Sequence, residues 1–167
     1  MQAGHPSKIC SILFDQSKKY PAKVPDNAAQ CLHLAAQELA ASPDNILVII
    51  GTADRAKDDN PTNGKTRMVE DESGEDIRYW DVAAYRAINT KDYLSRWEGA
   101  PASRIAARTA YPMSQTTTLY LLPAGMDIKA AFPKTVPIFE DPCTMKPCAK
   151  PDEEDMHPQP RSKIPGS

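Results

Sequence analysis

Apolar residues recur in this chain first with a period of two, then at intervals of three and four, then as an unbroken run. "ICSILF" at Ile9 to Phe14 alternates and reads as a strand, with Cys10, Ile12 and Phe14 on one face and Ile9, Ser11 and Leu13 on the other. A polar, proline-punctuated loop follows. Asp26, just after Pro25, stands where its carboxylate can cap the next helix. From Asn27 the spacing is helical, with Ala28, Cys31, Leu32, Ala35 and Leu39 on one stripe. "SPDN" at Ser42 to Asn45 ends it. "ILVIIG" at Ile46 to Gly51 is apolar throughout, the pattern of a strand covered on both faces.

The segment from Ala56 to Asp76 is polar and reads as a long inserted loop. Its acidic run, "EDESGED" at Glu70 to Asp76, lacks the ligand spacing of a calcium loop and reads as solvated charge. A second helix is predicted from near Ile77 to about Glu98, with Ala83, Ala87, Thr90, Leu94 and Trp97 on its buried stripe and Gly99 as its stop. "SRIAART" at Ser103 to Thr109 and "TTTLYLL" at Thr116 to Leu122 predict two more strands. Nine of the sixteen prolines lie in Pro123 to Ser167, where periodicity disappears. That stretch is expected to be an extended or looped tail.

The order predicts an α+β fold: a βαβαββ two-layer sandwich, a mixed sheet with two helices on one face, plus a Pro-rich C-terminal tail. The expected division is residues 1–122 with the polar insertion 56–76, then the tail 123–167.

The chain has 167 residues, 41% of them apolar and 7% aromatic, enough for one mostly aliphatic core. A net charge of −2 argues against broad nucleic-acid binding, which needs clustered Lys and Arg to neutralise phosphates. No run approaches the roughly 20 apolar residues of a membrane span, and "MQAGHPSKIC" has no apolar signal core. The four cysteines (Cys10, Cys31, Cys143, Cys148) and three scattered histidines do not make a metal site. Disulfides of an exported protein fit better, and four cysteines permit three connectivities. A Cys10–Cys31 bridge would tie the first strand to the core face of the first helix; Cys143 and Cys148 can close a small ring. There is no GxSxG elbow, HExxH pair or phosphate-cradling glycine loop. The expectation is a non-enzyme without cofactor or metal.

Chemistry concentrates where the apolar run stops. "GTADR" at Gly51 to Arg55, then "AAYRAINTKDYL" at Ala83 to Leu94 and "WEGAPASRI" at Trp97 to Ile105, resembles the OmpA-like C-terminal domain. The resemblance covers about Ile9 to Leu122. It implies a peptidoglycan-binding module of the bacterial cell envelope, periplasmic or extracellular. It further implies that the diaminopimelate of the stem peptide is held between Asp54, for the ammonium, and Arg86, for the carboxylate. A zwitterion does need one anion and one cation on rigid supports, and arginine's planar fork suits a carboxylate. The start of the second helix would add positive potential. Tyr79 and Val82 complete the implied ligand-binding set.

The pattern also departs from the family. Tyr79 stands where the family has Asn, Val82 for Leu, Ala83 for Ser and Ala53 for Thr. The charged pair is kept and its polar neighbours are not. Two readings therefore stay open. One is a working wall-binding site. The other is a diverged extracellular structural or assembly protein that keeps the fold and contacts itself or another envelope protein through its tail.

Overall fold

The alternating and β-branched runs form strands. The computed structural model describes residues 5–14, 22–54, 78–110 and 114–138. Within them β1 is Ser7–Leu13, β2 is Ile46–Gly51, β3 is Ile105–Ala110 and β4 is Thr116–Leu122. The two periodic segments form α1, Ala29–Ala41, and α2, Arg78–Trp97. A short helix α3, Ile128–Ala131, and a short strand β5, Thr135–Pro137, follow. The insertion 56–76, Cys143, Cys148 and the chain beyond Ile138 lie outside the described residues.

The sheet order is β1-β4-β2-β3-β5. β2 and β3 are parallel, so α2 lies in the crossover between them. β4 is antiparallel to both β1 and β2, and β5 is antiparallel to β3. The fold is thus the expected α+β architecture with a mixed sheet. Being central, β2 must be apolar on both sides. Leu47 and Ile49 join the helix-side core, with Leu32, Ala35 and Leu39 of α1 and Ala84, Ala87, Ile88 and Leu94 of α2. Val48 and Ile50 face the other way.

What covers Val48 and Ile50 corrects the expectation of a tail from Pro123. Met126, Ile128, Ala131 and Phe132 pack on Val48, Ile50 and Leu122, closing the second face. Asp127 caps α3 by accepting the Ala130 N–H at 2.9 Å. Pro137 is tolerated because β5 is an edge strand. Ile138 then joins the helix-side core. A four-residue helix and a three-residue strand are too short to show a period, which is why the pattern of apolar positions did not reveal them.

Asp26 is not the cap expected. It opens a 3-10 turn, Asp26–Ala28, in which the Ala28 N–H returns to the Pro25 carbonyl at 3.0 Å. A backbone bond tightens the helix entry, and no side chain caps α1. At the end of α2, Gly99 adopts φ 72°, open to glycine at no steric cost, and the Ala100 N–H closes on the Leu94 carbonyl at 3.0 Å. Arg104 then reaches across to the C-terminal end of α1. It donates to the carbonyls of Leu39 (3.1 Å), Ser42 (2.6 Å) and Asn45 (2.8 Å), where a cation also meets the negative end of the helix dipole.

Cys10 and Cys31 form a disulfide with Cα atoms 5.8 Å apart, tying β1 to α1. By loop entropy a bridge of this span contributes about 3 kcal/mol. Among the described residues, no helix is long and apolar enough to cross a membrane.

Candidate functional site

The site begins at a close approach. Gly51 ends β2 directly beneath α2, and a Cβ added there would lie 2.3 Å from the Ala83 carbonyl oxygen and 3.0 Å from the Ala87 Cβ. No other residue type lets the helix sit so near the strand. The sheet places Thr109 and Thr117 on either side of Gly51. Both are fully buried, and neither hydroxyl has a hydrogen-bond partner among the described residues. The row is therefore narrow in the middle, and the first half of α2 settles into it.

The chain beyond Gly51 is braced from two sides. On one side Thr52 fastens to the entry of β4. Its N–H donates to the Thr116 carbonyl at 2.8 Å, and its hydroxyl donates to the Ser114 carbonyl at 2.8 Å. On the other side Arg86 comes up from α2, and its Nη1 donates to the Thr52 carbonyl at 3.1 Å. The guanidinium carbon lies 5.3 Å from the centre of the Phe14 ring, a cation–π distance. The Arg86 side chain is 0% exposed. Asp54 follows two residues after the braced Thr52 and is half-buried at the rim.

The structure thus brings the two implied charged residues to one end of the sheet and gives them different situations. Arg86 is interior, and Asp54 keeps access to solvent. Val82 is buried at 1% exposure in a small apolar cluster with Ala53 and Ala83, against which Tyr85 packs. Three of the four positions that depart from the family pattern (Ala53, Val82, Ala83) are therefore mutual neighbours. At Ala53 and Ala83 the change removes a hydroxyl, which in this closed cluster would need a partner; Val82 for Leu is apolar either way. Tyr79 lies within α2, with its side chain outside the described residues.

Thr52 and Phe14 are the residues that sequence reasoning missed. Thr52 lies past the strand's end, where alternation no longer assigns a face. The alternation places Phe14 on one strand face with Cys10 and Ile12, and that face is in the core; its use as a platform for a cation depends on an arginine far away in the chain.

These features define a class: an α+β domain whose central strand delivers an aspartate to a rim braced by a buried helix arginine. The order of elements up to β4 is the one that the resemblance to the OmpA-like domain implies, with α3 and β5 following it. No protein-family model matches the chain, and no curated protein matches it. Among solved structures it is similar to the peptidoglycan-associated lipoprotein from Burkholderia pseudomallei, at 19% identity and a TM-score of 0.46, over 66% of this chain and 88% of that one. It is also similar to a MotB-like protein from Desulfovibrio vulgaris, at 14% identity and a TM-score of 0.43, over 64% of this chain and 67% of that one.

Proposed function

We propose that this chain is a non-catalytic cell-envelope module that binds peptidoglycan through its stem peptide, with the side-chain ammonium of diaminopimelate meeting Asp54. The observation that carries the reading is the rim itself. A carboxylate is held half-exposed at the end of the central strand by Thr52, which is fastened both to β4 and to Arg86. A carboxylate so positioned binds an ammonium with little further loss of freedom. The disulfide between Cys10 and Cys31 supports an oxidising, periplasmic or extracellular location.

The test is retention on insoluble peptidoglycan. Asp54→Ala is expected to weaken retention by about tenfold or more, the worth of one charge-assisted hydrogen bond. Arg86→Ala is expected to weaken it too, by releasing Thr52 and with it the rim. If both variants are retained as well as the parent chain, the site leaves the account.

A second reading has its own observation. The apolar cluster of Ala53, Val82 and Ala83 carries alanine at the two positions, 53 and 83, where the family pattern has a hydroxyl, which suits a fold kept without its ligand and used for protein contacts through the chain beyond Ile138. Light scattering on the full chain and on a chain ending at Ile138 tests it. Assembly that disappears on shortening supports this reading, and a monomer in both cases removes it.

A further inference from the structure

We infer that the Cys10–Cys31 bridge is a redox-sensitive latch on β1, and that its reduction slackens the Thr52 rim by drawing Phe14 away from Arg86. The link to binding rests on the peptidoglycan reading above; the opening of β1 does not.

Three observations lead there. First, β1 is an edge strand that pairs with β4, while β4 keeps β2 as its other neighbour. It can therefore part from the sheet without undoing the rest, the form that sub-global openings take. Second, the ladder of β1 is interrupted between Lys8 and Cys10, beside the bridge. Beyond that break the strand is held by Ile12 and Phe14 in the core, by the Phe14 N–H on the Gln115 carbonyl at 2.7 Å, and by the covalent tie of Cys10 to α1. Both cysteines are half-buried, so the tie is not sealed in the core. Third, Phe14 belongs to the end of this strand and also to the rim's support, its ring centre 5.3 Å from the Arg86 guanidinium carbon. A guanidinium that loses that ring meets water in its place, and water competes with the Thr52 carbonyl for its donors.

The reductant is a dithiol. One of its thiolates attacks a sulfur of the bridge, the S–S bond breaks, and the other cysteine leaves as a thiolate. The second thiolate of the reductant then attacks the mixed disulfide and releases the first cysteine. Two electrons pass to the bridge, the dithiol becomes a disulfide, and the two protons it gives up end on the sulfurs of Cys10 and Cys31. Coupling runs both ways: a ligand that holds the rim holds Phe14 and β1, and so makes the bridge harder to reduce.

The experiment uses the full chain with Cys143→Ser and Cys148→Ser, so that this bridge alone responds to dithiothreitol. Amide exchange is compared in β1 and β2, oxidised and reduced. Losing the cross-link favours the unfolded chain and lowers protection in both strands, so the difference between them is the readout. Protection in β1 is expected to fall at least about tenfold further than in β2. Cys10→Ser with Cys31→Ser is expected to match the reduced chain without dithiothreitol. Retention on insoluble peptidoglycan is expected to fall at least about threefold on reduction. Oxidised Phe14→Leu, its fold checked by exchange in β2, is expected to lose as much, with reduction adding less than about twofold to that variant.

Equal losses of protection in β1 and β2 overturn the inference, since the bridge then acts on the unfolded chain alone. A selective opening of β1 with retention unchanged overturns the coupling to the rim, and with it the switch, while leaving the peptidoglycan reading intact. Losses from reduction and from Phe14→Leu that simply add overturn the route through Phe14. No retention in either redox state overturns the peptidoglycan reading, and the exchange comparison still decides for or against the latch on β1.

Discussion

Gly51→Ala is expected to destabilise the domain by about 3 kcal/mol or more, at the upper end of what overpacking costs. The sign is the informative part. Alanine in a strand interior is ordinarily better than glycine by roughly 0.5–1 kcal/mol, because glycine loses more freedom on folding. Here that gain is outweighed by contact. The new methyl would stand 2.3 Å from the Ala83 carbonyl oxygen and 3.0 Å from the Ala87 backbone nitrogen. Neither is the far end of a flexible side chain that can step aside. The helix must move off the strand as a body, and Arg86, between those two contacts in sequence, moves with it. The change therefore reaches the Thr52 brace and the Asp54 rim, and binding falls with stability. Urea denaturation with an unchanged slope gives the energy. Gly125→Ala is the comparison. Its φ of 81° is costly for alanine, but nothing lies within 4 Å of the added carbon, so a loss of only about 1 kcal/mol is expected there. Equal losses at the two positions would mean that backbone conformation, and not the close approach of α2, sets the requirement at Gly51.

The same residue shows how much the chain discloses before folding. The unbroken "ILVII" fixes a central strand because only a strand buried on both faces tolerates it, and β2 is that strand. Helices of thirteen and twenty residues were legible because they run long enough to repeat their stripes. That Asp54 and Arg86 stand at one end of the sheet was legible through the resemblance. Their unequal exposure was not, because it depends on Phe14, Thr52 and β4 meeting in space. Nor did the spacing of apolar residues reveal that Ala53 and Val82 touch, since they lie on opposite sides of a long insertion. The cover of the second face was missed for a different reason. Proline density points to a tail, yet "MDIKAAF" carries a helix signal of its own in Asp127, with good helix formers behind it.

Where that cover ends gives the second large effect. A chain ending at Leu122 is expected to lose about 3–5 kcal/mol relative to one ending at Ile138, enough to unfold a domain of ordinary stability in part or in full. The shorter chain keeps every element of the βαβαββ order. What it loses is the layer formed by Met126, Ile128, Ala131 and Phe132, leaving Val48, Ile50 and Leu122 of the central strands facing water. Three aliphatic side chains newly exposed cost roughly 1.5–3 kcal/mol each. Against this stands the freedom that the removed segment no longer gives up, so the net figure is smaller than the sum. Further losses are specific. Phe132 stacks tilted on Tyr120 at 5.0 Å. Arg108 donates through Nε to the Thr135 hydroxyl at 2.6 Å and through Nη2 to the Thr135 carbonyl at 3.2 Å. Burial lowers the Arg108 pKa from its ordinary value, with Asp127 acting in the opposite direction. Without α3 and β5 the guanidinium returns to water, but β3 is left an open edge able to pair with another chain. Thermal melting and light scattering on the two chains check this. The chain ending at Ile138 is expected to melt cooperatively, and the chain ending at Leu122 to melt lower or aggregate. Equal melting temperatures would show that the mixed sheet holds with one face bare and that residues 123–138 belong to the tail after all.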